Sequence, residues 1–192
     1  MIKAIKKGIS LFLAACLLVT LTTIVGLIGI TELHATGETI EAFQQEAEED
    51  ICIYTAMDKV NDILDGITGT LSRGAAVAVF YRVSNEPSIN FEAIFTDVSG
   101  ESDYADAIIW AYKNGIVHGF CDSSFKPYEA ITTEQFALML YRYVRILGYD
   151  GKVPVDFPQI PHSSDWAQDA MRWAVYYGWL AHHNPYSPLV LG

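Results

Sequence analysis

The segment that most constrains this chain runs from Phe95 to Leu147, FTDVSGESDYADAIIWAYKNGIVHGFCDSSFKPYEAITTEQFALMLYRYVRIL. It encodes two amphipathic helices and a turn-rich loop, a unit too small to bury its own apolar faces. Between Asp103 and Asn114, Ala107, Ile108 and Ala111 share one face at the 3.6-residue period, Tyr104 and Trp110 flank it, and Gly115 supplies the stop. The loop GIVHGFCDSSFKP holds two glycines, Asp122, two serines and Pro127, and Phe125 is the large side chain expected to pin it. The second helix opens at Thr132, which spells a capping box with Gln135. Phe136, Leu140, Tyr143, Val144 and Leu147 form its apolar stripe, and Gly148 ends it.

A pair this small needs neighbours, and the chain repeats it. Downstream, SDWAQDAMRWAVYYGWLAHHNPYSP copies the first helix and loop: Trp173-Ala174 match Trp110-Ala111, Gly178 matches Gly115, and Tyr186-Ser187-Pro188 match Phe125-Lys126-Pro127. Upstream, LSRGAAVAVFYRVSNEP copies the second helix, Leu71 matching Ile131, Ser72 matching Thr132, and Tyr81-Arg82 matching Tyr141-Arg142. Offsets of 63 and 60 residues suit helical units that stack on one another.

The ordered pieces F-x-D-V, an aromatic and alanine-rich helix, G-I-V-x-G, D-x-x-F-x-P and I-T-x-x-x-F-A-x-x-L-Y-R resemble the S-layer homology repeat of bacterial cell-surface proteins, from about Leu71 to Pro188. The resemblance implies an all-α fold of helix-loop-helix repeats in a pseudo-threefold bundle, extracellular location, and noncovalent attachment to a secondary cell wall polysaccharide. The expected organisation is a signal peptide or membrane anchor over 1–35, an acidic helix and degenerate first repeat over 36–90, a complete second repeat over 91–150, and a truncated third repeat over 151–192. A third repeat without its last helix leaves an apolar face for self-association or a partner chain. That is the alternative reading: a structural module that oligomerises and no longer binds polymer.

The resemblance also implies a polysaccharide-binding set. Leu71-Ser72-Arg73 stands where the family has I-T-R-A-E, with Ser72 as helix cap and Arg73 in the first turn, where free backbone N–H groups and the guanidinium would together favour a carboxylate. The second copy has Thr133 where the arginine would be, and threonine cannot replace a bidentate fork. Thr132, Thr133 and Gln135 are left to hydrogen-bond sugar hydroxyls there. Asp97 of F-x-D-V is expected to cap or brace a neighbouring repeat, and Tyr104 and Trp166 are aromatics available to stack on sugar rings. In the third copy Gln159 replaces that aspartate, Asp165 and Gln168 form an N-terminal box, and Trp166, Ala170, Trp173, Ala174 and Tyr177 share a helix face.

Composition bounds the rest. Lys3, Lys6 and Lys7 precede an uncharged apolar run from Ile9 to Ile30, an export signal cut after Ala35 or a retained anchor, since its length is sufficient to span a bilayer. Leu13-Ala14-Ala15-Cys16 also fits a lipoprotein acceptor, although more apolar residues follow. The chain carries −11, and beyond residue 30 nine cations face 23 carboxylates, a balance of −14. That argues against nucleic acid and anionic lipid, and makes any acidic ligand depend on a few local arginines. Thr36–Leu64 reads as a helix with an acidic outer face, its apolar positions being Ile40, Phe43, Ala47, Ile51 and Tyr54. Cys52 and Cys121 allow one disulfide with no motif behind it. His182-His183 match no metal-ligand spacing, and Asp122-Ser123-Ser124 lacks the ligands of a calcium loop. Carboxylates sit in solvated runs, and neither G-x-S-x-G nor a Cys-His constellation occurs. The expectation is a binding module at the cell surface, not an enzyme, with no cofactor and no metal.

Overall fold

In the computed structural model, residues 55–149, 152–180 and 188–191 are described. The chain divides into two units, Met1–Thr55 and Ala56–Gly192, and all described residues but Thr55 belong to the second. The expected signal or anchor, most of the acidic helix, Cys52, His182-His183 and Tyr186-Ser187 lie outside the described residues. Among those described, no helix is long and apolar enough to cross a membrane.

The fold is built of helices. Residues 55–64 are helical (α1), followed by α2 (Arg73–Val83), α3 (Ala105–Lys113), α4 (Thr133–Ile146) and α5 (Gln168–Tyr176), with a 3-10 turn, Asp165–Ala167, leading into α5. Thr132 caps α4 as its sequence requires: its hydroxyl accepts the Gln135 N–H at 3.2 Å, and the Gln135 side chain accepts the Thr132 N–H at 3.2 Å. Ser72 caps α2 through the Ala75 N–H. Gly115 ends α3 in the left-handed region, φ 69°.

Two departures from the sequence reading concern local chemistry. Asp165 and Gln168 form no N-terminal box. The Gln168 amide instead ties the preceding loop together, accepting the Ile160 N–H and donating to the carbonyls of Ile160 and Ser163. The 3-10 turn rotates Trp166 off the α5 face, so it does not join the core stripe of Ala170, Trp173 and Ala174. Ahead of α2, Gly69–Thr70 (β1) pairs antiparallel with Val190–Leu191 (β2).

Helices α2, α3 and α4 meet through aromatics. Phe80 of α2 stacks on Phe136 and Tyr143 of α4 at 5.7 and 5.0 Å, and Trp110 of α3 meets Tyr143 edge-on at 6.4 Å. Tyr141 of α4 meets Trp173 of α5 at 5.8 Å. These rings, with Ile108, Ile109, Leu140 and Val144, make the core. Removing one buried ring such as Phe80 costs about 3–5 kcal/mol.

Where helices begin, three chain segments close a ring. Leu71 donates its N–H to the Leu189 carbonyl, Leu189 to Ile131, and Ile131 to Leu71, each at 2.9 Å. The three side chains are buried. Around the ring the same pairing recurs: Ser72 bridges Ala130, Thr132 bridges Pro188, and Val190 pairs with Thr70. A buried backbone must find internal partners, and the ring supplies them.

Candidate ligand pocket

A concavity with charged walls lies where the start of α2 meets the loop between α3 and α4. Its volume is about 200 Å³. One wall is Arg73. A second is the loop from Ile116 to Phe120. The floor is a face of α4, Gln135, Leu138, Met139 and Arg142, at helical spacings of three, four and seven, and Trp166 closes the far side.

Arg73 is 5 % exposed and is held by the loop. Its Nε donates to the Phe125 carbonyl at 3.0 Å, and its guanidinium carbon lies 4.7 Å from the Phe120 ring centre and 4.8 Å from that of Phe125. Burial pulls its pKa below the ordinary arginine value, opposed by the nearby carboxylates of Glu129 and Asp97. It remains a cation.

The backbone around Arg73 differs from the sequence expectation. The first N–H groups of α2 are not free for a ligand: Arg73 donates to the Glu129 carbonyl at 2.9 Å, Gly74 to the Pro127 carbonyl at 2.8 Å, and Ala75 to the Ser72 hydroxyl. The loop has already used the helix terminus, so the side chain alone faces the pocket. Gly74 permits this approach. A Cβ there would stand 2.4 Å from a Tyr104 ring carbon and 2.9 Å from the Pro127 carbonyl oxygen.

Asp97, ahead of α3, braces the loop between α3 and α4, not a neighbouring unit. Its carboxylate accepts the N–H groups of Phe125 and Lys126, both at 2.7 Å. Asp122 accepts the Ser124 N–H and hydroxyl, which hold its carboxyl below the usual carboxylate range. Gly119 is tight for the same reason the loop is: a Cβ would lie 2.4 Å from the Phe95 ring and 2.8 Å from the Ser124 carbonyl.

Of the residues singled out in the sequence, the structure therefore brings Arg73, Gln135 and Trp166 to one pocket. Ser72 and Thr132 are spent as caps, Asp97 as a loop brace, and Tyr104 packs beside Gly74, 6.0 Å from the Tyr128 ring. Thr133 is 1 % exposed and does not line the pocket.

Sequence reasoning missed His118, Phe120 and above all Arg142. The half-buried Arg142 donates to the Ile116 carbonyl at 3.3 Å, and desolvation lowers its pKa. The signal was present: Leu138, Met139 and Arg142 follow Gln135 at i+3, i+4 and i+7, a face that borders the Phe136–Leu140–Tyr143 stripe. Among the described residues no carboxylate ion-pairs with Arg73 or Arg142, and none lines the pocket. Cys121, beside Phe120, is a free exposed thiol.

No curated protein and no solved structure matches the chain. Residues 94–137, the loop wall of the pocket and the start of α4, match the family model of the S-layer homology domain. Over that stretch, under a quarter of its length, the chain is similar to a kind of binding module generally associated with the cell wall and S-layer.

Proposed function

We propose that this chain attaches to the bacterial cell wall by binding an acidic group of a secondary wall polysaccharide in the pocket of Arg73, Arg142 and Trp166. The observation that carries the reading is charge. Two arginines that form no ion pair among the described residues line one concavity in a chain of net charge −11. A pair of charge-assisted hydrogen bonds from a guanidinium contributes about 1.5–3 kcal/mol. The acidic remainder opposes approach at long range, but salt screens it beyond about 8 Å at physiological strength. Short contacts decide.

In this reading Arg73, stacked on two rings and held at Nε, offers its fork without further ordering. Arg142 and His118 complete the polar lining, Gln135 meets hydroxyls, and Trp166 stacks on the sugar. The ring of Leu71, Ile131 and Leu189 is then the axis of a pseudo-threefold arrangement of units near 36–90, 91–150 and 151–192, and the chain acts outside the cell.

The test is cosedimentation of the full chain with cell-wall sacculi, before and after chemical removal of the secondary polysaccharide. Arg142→Ala and Arg73→Lys run alongside, the first at a half-buried site and the second keeping the charge. Binding should be lost on stripping and in both variants. Undiminished binding to stripped sacculi, or full binding by both variants, refutes the proposal.

A further inference from the structure

We infer, on the reading that this pocket is the wall-binding site, that Glu134 is a positioning residue that holds Trp166 over the pocket through Ser164. Glu134 lies in the first turn of α4 and is only 5 % exposed. One carboxylate oxygen accepts the Ser164 N–H and the other accepts the Ser164 hydroxyl, both at 3.1 Å. Among the described residues no cation ion-pairs with it. A carboxylate buried on two neutral donors is costly, even at a helix N-terminus. Its placement has a structural consequence that offsets this.

Ser164 is the extended residue that enters the 3-10 turn, and Trp166 is the middle residue of that turn. Trp166 is 53 % exposed yet lines the pocket opposite Gln135, Leu138 and Arg142, which stand on the same helix as Glu134. The clamp therefore fixes the aromatic wall relative to the floor it faces. The matching position at the start of α2 is Gly74, and there Tyr104 closes against the helix where a side chain would stand. With a carboxylate in that place, the aromatic that leads into the next helix stands clear and remains available to a ligand.

The experiment uses the full chain labelled with 5-fluorotryptophan. The Trp166 line in the fluorine NMR spectrum is identified by its loss in Trp166→Phe, and sacculus affinity is measured in parallel. Glu134→Ala should move the Trp166 line toward its position in free fluorotryptophan while the other tryptophan lines stay. Affinity should fall about threefold to tenfold, the size expected for one aromatic contact. The Glu134→Ala, Trp166→Ala double variant should bind no more weakly than Trp166→Ala alone, and Glu134→Gln, which can still accept from the Ser164 N–H, should recover part of the loss.

An unmoved Trp166 line in Glu134→Ala, or losses that multiply in the double variant, overturns the inference. Should Glu134→Ala displace every tryptophan line, Ser164→Ala, which deletes one of the two bonds, takes its place: a partial shift confined to Trp166 supports the clamp and no shift overturns it. A full chain that does not bind sacculi defeats the pocket reading alone, because the fluorine line still decides whether Glu134 holds Trp166.

Discussion

Helices α2 and α4 begin alike, with a hydroxyl cap beside a ring residue, and diverge at the next two positions. After Ser72 come Arg73 and Gly74; after Thr132 come Thr133 and Glu134. At the first junction the side chain nearest the cap is a cation stacked on Phe120 and Phe125, and the absent side chain after it lets Tyr104 and Pro127 press onto the helix. At the second, a buried threonine replaces the cation and a carboxylate reaches out to Ser164. Two substitutions on one backbone plan make the first junction a charged wall and the second a clamp for the opposite wall.

The comparison breaks first at Arg73. Arg73→Ala should weaken wall binding about 10- to 100-fold, the equivalent of one charge-assisted pair, and strand the Phe125 carbonyl at about 1–3 kcal/mol of stability. Cosedimentation and thermal unfolding read the two effects separately. Arg73→Lys sharpens the point, since it keeps the charge and loses the fork, so binding should still fall. Gly74→Ala comes next. The Pro127 oxygen 2.9 Å from the added methyl belongs to the backbone and cannot swing aside, so overpacking of about 1–3 kcal/mol is expected. The melting temperature should drop by about 2–4 °C for each kcal/mol.

How far the sequence could anticipate this contrast depends on the range of the interaction. Periodicity placed α2 to α5, and the Thr132–Gln135 box was readable because two residues three positions apart carry all of it. Arg73 was legible as a candidate through its motif, but its burial was not, because Phe120 and Phe125 lie about 50 residues away and approach only across the junction. The same distance hid the loss of the α2 N–H groups to Glu129 and Pro127. Trp166 was singled out as an aromatic, yet its period matched the α5 stripe, and only the 3-10 turn moves it off that face. Glu134 looked like one more surface carboxylate, since nothing local announces Ser164. The closed ring of Leu71, Ile131 and Leu189 was invisible too: it is made of backbone groups, which every residue carries.

The caps test the shared part of the plan. Ser72→Ala and Thr132→Ala should each cost about 1 kcal/mol by chemical denaturation. The threonine should cost more, because Ala75 gives Ser72 no reciprocal partner whereas Gln135 closes a box. Equal losses would mean that the Gln135 side chain contributes nothing to the cap and is free to turn into the pocket.

The smallest expected effect is in acid. The loop of the first junction is braced by the carboxylates of Asp97 and Asp122, whereas in the loop before α5, which Glu134 holds at Ser164, the Ile160 end is tied by the neutral amide of Gln168. Asp122 has its folded pKa depressed by the Ser124 hydroxyl and N–H. Its contribution is therefore complete above the unfolded aspartate pKa and disappears as pH falls through the lower, folded value. No such loss applies to Gln168. Hydrogen exchange measured down through the acid range should show the Ser124 amide losing protection before the Ile160 amide. The order should vanish in Asp122→Asn, which can still accept from Ser124 but does not titrate. If Ile160 opens first in the unaltered chain, the first junction is the more firmly braced of the two, and its arginine is held by the Phe120 and Phe125 rings more than by the loop's carboxylates.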